Sequence, residues 1–217
     1  MYAHSLKDQP PDRWQPLDVH ASAVACMAEM FAQPFQSGKW AALLGSLHDI
    51  GKARVSFQNY LRFCNNLTDV DYDASDRTHS GVGAVWAVQA LPSNKVGRIL
   101  AYVIAGHHAG LPDWIGGDTP CGSLSYRLDQ ENDVVREPAV AAWILAHQTE
   151  WTGTSLGPPW RFGNDNMSDG SFWIRMLYSC LVDADFLDTE AFMESGKSAA
   201  RSQYPQLRAL SERFFTA

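Results

Sequence analysis

The segment "SLHDIGKA", residues 46–53, decides how the fold is interpreted. It places a histidine and an aspartate, His48 and Asp49, in a run whose apolar residues recur at helical spacing from Trp40 to Ile50. An imidazole and a carboxylate are costly to bury side by side unless both have partners or bind a metal ion. The segment therefore predicts a buried helix that carries a functional site.

Helical spacing extends through most of the chain, whereas strand signals are weak. Helices are predicted over residues 19–31, 39–63 with a break near Gly51, 79–91 after Thr78 as cap, 95–108 after Asn94 as cap, 137–151, 171–193 and 204–215. Two stretches rich in Gly, Pro, Asp and Asn, residues 111–133 and 152–170, are predicted as irregular loops. We expect an all-α single domain over residues 1–217 with two long irregular loops.

The composition limits the possible functions. The chain has 217 residues, and its 46% hydrophobic content is sufficient for a substantial core. Its 17 basic and 24 acidic side chains give a formal charge of −7, which argues against nucleic-acid binding through overall charge. Any such binding would need a local positive field from bound metal or from a partner. The four cysteines form no CxxC pair, and neither a signal peptide nor a membrane span is visible, so a cytoplasmic location is expected.

Five of the seven histidines lie in apolar surroundings within predicted helices or at their ends, namely His20, His48, His79, His107 and His108. A single such histidine is usually a core residue that donates to a backbone carbonyl. Five of them beside an aspartate favour shared metal ions, because one ion satisfies several imidazoles. Imidazole and carboxylate ligands suit Zn, Mn, Fe, Co or Ni better than Ca.

The carboxylates divide into bridging and terminal candidates. Neighbouring helix residues point roughly 100° apart, so Asp49 can bridge two metals while His48 binds one. In the helix over residues 171–193, Asp185 falls on the apolar face and is favoured as a further ligand, with Asp183 as its competitor. Asp188 and Glu190 are interpreted as residues of a solvated helix face or end.

The motifs "YAHS", "LHDIGK", "THSGVGA", "IAGHHAGLPD" and "LVDADFLDTE" follow one another from residue 4 to residue 190. This ordered set resembles the HD superfamily of metal-dependent phosphohydrolases. It is most similar to the HD nuclease domain of the type I CRISPR-associated helicase-nuclease. The double histidine and the order of the motifs carry the resemblance, since the His-Asp pair alone is a weak signal.

The resemblance implies two divalent transition-metal ions, with Mn, Co, Ni or Fe favoured and Mg or Zn also compatible. It implies a first metal held by His20, His48, Asp49 and Asp185, and a second held by His79, His107 and His108 with Asp49 bridging. Lys52 matches the family lysine near the scissile phosphate. His4 matches the start of the family pattern, without an assigned role.

The resemblance also implies a function and partners. We expect a metal-dependent nuclease that hydrolyses single-stranded DNA in type I CRISPR interference, with a water activated by two metals as the nucleophile. These residues contain no G-x-x-x-x-G-K-[ST] sequence, so a helicase domain or subunit and the CRISPR effector complex are the expected partners.

Trp114 and Trp160, in the predicted loops, are candidates for base stacking, although packing is the commoner role of such aromatics. Two alternative functions stay open. One is an HD phosphohydrolase that acts on nucleotides or cyclic nucleotides. The other is a metal-stabilised, non-catalytic adaptor domain.

Overall fold

The structure of the chain, a computed structural model, describes residues 1–69, 77–91, 94–116, 120–152, 156–157, 167–201 and 207–216. Within these ranges the helices are α1 (Leu17–Ala32), α2 (Gly38–Leu47), α3 (Val55–Cys64), α4 (Ser80–Ala90), α5 (Asn94–Gly106), α6 (Leu124–Gln130), α7 (Pro138–Thr152), α8 (Met167–Met193), α9 (Ser195–Arg201) and α10 (Leu207–Thr216). A pair of short antiparallel strands, β1 (Tyr2–His4) and β2 (Gln15–Pro16), precedes them. The predicted all-α fold is confirmed.

Three local expectations were wrong. The predicted loop over residues 111–133 contains α6, which begins after Ser123, whose Oγ accepts a hydrogen bond from the Tyr126 N–H at 3.3 Å. Helix α8 begins at Met167, four residues before the predicted start. Helix α4 begins at Ser80 with His79 at its N-cap position, so Thr78 is not the cap. The break near Gly51 is confirmed as a 3₁₀ turn over Ile50–Ala53.

Helix α2 lies at the centre of the fold, packed against α1, α8, α5 and α4. Its apolar residues Leu44 and Leu47 are fully buried, and Trp40 makes an edge-to-face contact with Trp173 of α8, with 4.9 Å between ring centroids. This packing brings four neighbouring helices to the C-terminal end of α2. The residues that follow α2 are therefore enclosed on several sides.

The close approach of α1 and α2 depends on a glycine. A Cβ added to Gly45 would lie 2.5 Å from the Ala25 Cα atom, a distance that real Cβ atoms do not adopt. The two helix backbones are thus in direct contact, and this contact sets how far α1 stands from the end of α2. No helix in the described ranges is both long and apolar enough to cross a membrane.

We predict that Gly45→Ala lowers the free energy of unfolding by about 1–3 kcal/mol, because the added methyl group must separate two backbones that touch. Urea unfolding followed by circular dichroism measures the change. The control is Gly196→Ala in α9, where an added Cβ has no neighbour within 4 Å, and which should be neutral or slightly stabilising. Equal effects of the two substitutions would contradict the close approach.

Candidate metal centre

A first group of side chains meets at the end of α2. His20 comes from α1, Asp185 from α8, and His48 and Asp49 follow α2 directly. The His20 Nε2 atom lies 3.2 Å from Asp49 Oδ2 and 3.3 Å from Asp185 Oδ1. The His48 Nε2 atom lies 3.3 Å from Asp49 Oδ2 and 3.7 Å from Asp185 Oδ1. Two imidazoles and two carboxylates therefore surround one point.

A second group lies on the other side of Asp49. The Asp49 Oδ1 atom is 3.3 Å from His79 Nε2 and 3.7 Å from His107 Nε2. The His79 and His108 Nε2 atoms are 2.8 Å apart. Within each group the candidate ligand atoms all lie within 4.8 Å of one another. The two oxygens of Asp49 thus face different groups, Oδ2 the first and Oδ1 the second.

Gly51 brings His79 close to Asp49. A Cβ added to Gly51 would lie 2.6 Å from the His79 Cα atom, so the turn after α2 and the backbone before α4 are in direct contact. His107 and His108 enter from the end of α5, where Gly110 adopts a positive φ of 91° and reverses the chain.

Hydrogen bonds to backbone carbonyls orient three of the imidazoles. The Nδ1–H groups of His48, His79 and His107 donate to the carbonyl oxygens of Gly45 at 2.7 Å, Arg77 at 2.8 Å and Ile104 at 2.6 Å, respectively. An imidazole that donates from Nδ1 keeps the lone pair on Nε2 when it is neutral. Each of these rings consequently presents Nε2 to Asp49, as metal-binding histidines do.

The donor atoms fit a metal ion. The Nε2 atoms of His20, His48 and His107 and both carboxylate oxygens of Asp49 are buried and have no well-aligned hydrogen-bond partner. Such unsatisfied groups are costly inside a protein; three of these atoms belong to the first group and two to the second, and each set needs a partner. Lone pairs of imidazole and carboxylate that converge on one point are the ligand set of a divalent transition metal.

The electrostatics of the two groups differ. Burial disfavours the charged imidazole, yet the carboxylates of Asp185, Asp188 and Asp49 raise the pKa of His20 to about 10. In the second group burial and the charge of His48 lower the pKa of His107 to about 3. The first group therefore attracts a cation strongly, whereas the second offers neutral imidazoles.

Asp49 is the charge common to both groups. Although burial opposes ionisation, the positive charges of His48 and Lys52 hold the pKa of Asp49 well below its usual range. The neighbouring imidazoles of His20 and His48 likewise hold the pKa of Asp185 below its usual range against the effect of burial. Both carboxylates are thus ionised at neutral pH and able to bind a cation.

Lys52 is a buried lysine. It lies in the 3₁₀ turn after α2, with its Nζ atom 2.7 Å from Asp49 Oδ2 and 3.1 Å from His4 Nε2. The Lys52 ammonium therefore lies beside the first group, and its second partner is His4 of β1.

The interpretation of Asp188 as a solvated residue was also wrong. Its Oδ2 atom accepts hydrogen bonds from His20 Nδ1 at 2.6 Å and from Gln15 Nε2 at 2.7 Å. Asp188 follows Asp185 by three residues, so both lie on the same helix face, and this spacing was the available signal. Of the other carboxylates, Glu190 pairs with Arg201, and Asp183 is exposed and lies outside both groups.

Trp114 is a packing residue in the structure. Its ring lies against Tyr102, with 5.7 Å between ring centroids, and the Arg98 guanidinium is 4.7 Å from its ring centre. The ring is thus partly buried against the core, and Arg98 lies over one of its faces. Trp160 lies outside the described residues.

A helical scaffold that joins two histidine–aspartate groups through one aspartate defines a domain of the HD type. The family model described as "Cas3, HD domain" matches residues 5–154, and the chain belongs to this family. The resemblance derived from the sequence motifs is thereby confirmed. No curated protein matches the chain significantly.

Family membership implies a metal-dependent hydrolase of the HD type that acts in a CRISPR context, with nucleic-acid binding alongside the Cas3 helicase-nuclease. The matched residues include every member of the two groups except Asp185. Asp185 enters the first group through the packing of α8 on α1 and α2.

We predict that Gly51→Ala weakens metal binding by the second group, because the methyl group displaces the His79 backbone from Asp49. The expected result is at least about a tenfold loss of Mn²⁺ affinity in a calorimetric titration. Gly122→Ala, where an added Cβ has no neighbour within 4 Å, is the control. Unchanged binding by the Gly51 variant would refute the role of this contact.

Proposed function

We propose that this domain hydrolyses phosphodiester bonds of single-stranded DNA with two divalent metal ions, as the nuclease of type I CRISPR interference. One observation carries the proposal: the two oxygens of Asp49 face two separate groups of inward-pointing ligand atoms. A bridging carboxylate between two such groups is the arrangement that two-metal phosphodiester hydrolysis requires.

The proposed ligands follow the two groups. His20, His48, Asp49 and Asp185 would hold the first ion, and His79, His107, His108 and the second oxygen of Asp49 would hold the other. Mn, Co, Ni or Fe suit this set best, and Mg or Zn are compatible with it. When bound, two such ions lower the pKa of a water molecule and offset the negative charge of phosphoryl oxygens.

The protein's own residues supply orientation and charge. The carbonyl oxygens of Gly45 and Ile104 hold His48 and His107 with Nε2 toward the centre. An ammonium group has three donors; that of Lys52 donates to His4 Nε2 at 3.1 Å and forms an ion pair with Asp49 Oδ2 at 2.7 Å. We assign a further donor to a non-bridging phosphoryl oxygen, where it stabilises the negative charge that develops during hydrolysis.

The overall charge of −7 is compatible with a nucleic-acid substrate under this proposal, because the positive charge would be concentrated at the centre. A helicase domain or subunit and the CRISPR effector complex would deliver the single strand in the cytoplasm. We propose that the functional unit extends over residues 1–217, since α8 contributes Asp185 from beyond the family match.

The test uses the metal-free protein reloaded with Mn²⁺, Co²⁺, Ni²⁺, Mg²⁺ or Zn²⁺ in turn. Each form receives a labelled single-stranded oligonucleotide, the blunt duplex and a set of mononucleotides and cyclic nucleotides, without ATP. The proposal expects cleavage of the single strand far above that of the duplex. Preference for mononucleotides would identify a nucleotide phosphohydrolase instead, and metal binding without any hydrolysis would identify an adaptor domain.

We predict that Asp49→Asn loses both metal ions and lowers cleavage at least about 100-fold, since the amide cannot supply two anionic ligand atoms. Elemental analysis and the oligonucleotide assay measure the two effects. Asp183→Asn, the same change at an exposed position of α8, should leave both unchanged. Retention of the parental metal content by the Asp49 variant would contradict the bridging role.

The combined substitution His107→Gln and His108→Gln tests whether there are two ions or one. Under the proposal, bound metal falls from two ions toward one, and cleavage drops by orders of magnitude with an unchanged helical spectrum. His147→Gln is the matched control, because His147 Nδ1 bonds the Trp143 carbonyl oxygen away from both groups. Parental stoichiometry and rate in the double variant would exclude the second ion.

A further inference from the structure

The N-terminal strand pair is anchored beside the metal centre. Gln58 of α3 accepts a hydrogen bond from the Tyr2 N–H at 3.0 Å and donates to the Tyr2 carbonyl at 2.9 Å. The same amide donates to the Lys52 carbonyl at 2.7 Å, so β1 is fixed to the turn that carries Lys52. Pairing of β1 with β2 then sets His4 opposite Gln15.

A continuous series of hydrogen bonds passes through this strand pair and connects Lys52 to His20 of the first group. His4 lies between Lys52 Nζ at 3.1 Å and Gln15 Oε1 at 2.7 Å. Gln15 Nε2 lies 2.7 Å from Asp188 Oδ2, which is 2.6 Å from His20 Nδ1. These five residues connect the lysine to one of the proposed metal ligands.

The direction of every bond in this series is determined by its two ends. The lysine ammonium can only donate, so His4 accepts at Nε2 and donates from Nδ1 to Gln15. The ionised carboxylate of Asp188 can only accept, so Gln15 donates from Nε2 and its Oε1 faces His4, which agrees with the first requirement. His20 must likewise donate from Nδ1 to Asp188.

We propose that His4, Gln15 and Asp188 are positioning residues whose hydrogen-bond series orients Lys52 and fixes His20 as a ligand through Nε2. The inference rests on the proposed function, because it assigns the residues that align two members of its site. His20, Gln15 and Lys52 are each no more than 5% exposed, so water does not replace a lost bond.

Gln15 is the decisive link in the series. An amide has an acceptor at one end and a donor at the other, which joins the donor on His4 to the acceptor on Asp188. Gln15→Glu has nearly the same shape but places an acceptor against Asp188, so the series is interrupted there. Loss of such outer partners typically costs about 10–100-fold in metal affinity or activity.

The experiment combines a Zn²⁺ titration with nuclear magnetic resonance of protein labelled with ¹⁵N-histidine. In the parent, Zn²⁺ should leave His20 with a slowly exchanging Nδ1–H signal. In Gln15→Glu that signal should shift or broaden, and the affinity reported by His20 should fall about tenfold or more. Gln130→Glu, the same change at an exposed position, is the control and should behave as the parent.

Two outcomes would overturn the inference. One is parental Zn²⁺ affinity and a parental His20 signal in the Gln15 variant. The other is weaker affinity with an unchanged His20 signal, which would indicate a general structural role. If Gln15→Glu does not fold, Asp188→Asn gives the same readouts, because it removes the anionic acceptor of His20 and keeps its shape.

These readouts do not depend on hydrolysis, so failure of the proposed function is distinguishable. A parent that binds Zn²⁺ with the expected His20 signal but cleaves no oligonucleotide would refute only the nuclease assignment. Where cleavage with Mn²⁺ occurs, Gln15→Glu should lower kcat about 10–100-fold and leave KM for the oligonucleotide unchanged, since the residue does not contact substrate. A lower affinity for the oligonucleotide with parental kcat would contradict the positioning role.

Discussion

The buried carboxylate of Asp49 is the constraint on which the rest of the structure depends. Its side chain is 1% exposed and its pKa lies well below the usual range, so a full negative charge is held away from water. Uncompensated, such a charge costs several kcal/mol. The groups that compensate it are His48 and Lys52, which follow α2, and His20 of α1. The packing of α1 against the end of α2 is therefore a structural and an electrostatic requirement at once.

Two of the imidazoles are oriented by the same kind of hydrogen bond. His48 and His107 each stand just beyond a helix end and donate to the carbonyl three residues earlier, at Gly45 and Ile104. The last carbonyls of a helix have no partner within the helix, so a histidine at this position satisfies one of them. The same bond turns Nε2 away from the helix that carries it. Each of these histidines thus satisfies a carbonyl at a helix end and at the same time orients its own Nε2 atom.

The sequence predicted the other helices but neither α6 nor α9, and it predicted the members of both groups, because these depend on local patterns and residue types. Periodic apolar residues define α1 and α2, and buried histidines are rare enough to mark a site. Strands of two and three residues are too short for alternation to be visible. The bond between Gln15 and Asp188 spans 173 positions, and no local pattern predicts the partner of a single amide. What the sequence missed is therefore the layer of residues that orients the ligands.

The shared carboxylate also makes the two groups physically dependent on each other. The imidazoles of His20 and His48, whose pKa values are raised to about 10 and about 9, are protonated at neutral pH, so metal binding in the first group must displace both protons. His79, whose pKa burial lowers to about 4, is already neutral, and so is His107. The second group therefore gives up no proton but has only one oxygen of Asp49 as its anionic ligand. Because both groups draw on the same negative charge, a cation in one reduces the attraction for a cation in the other, and by linkage the effect is reciprocal.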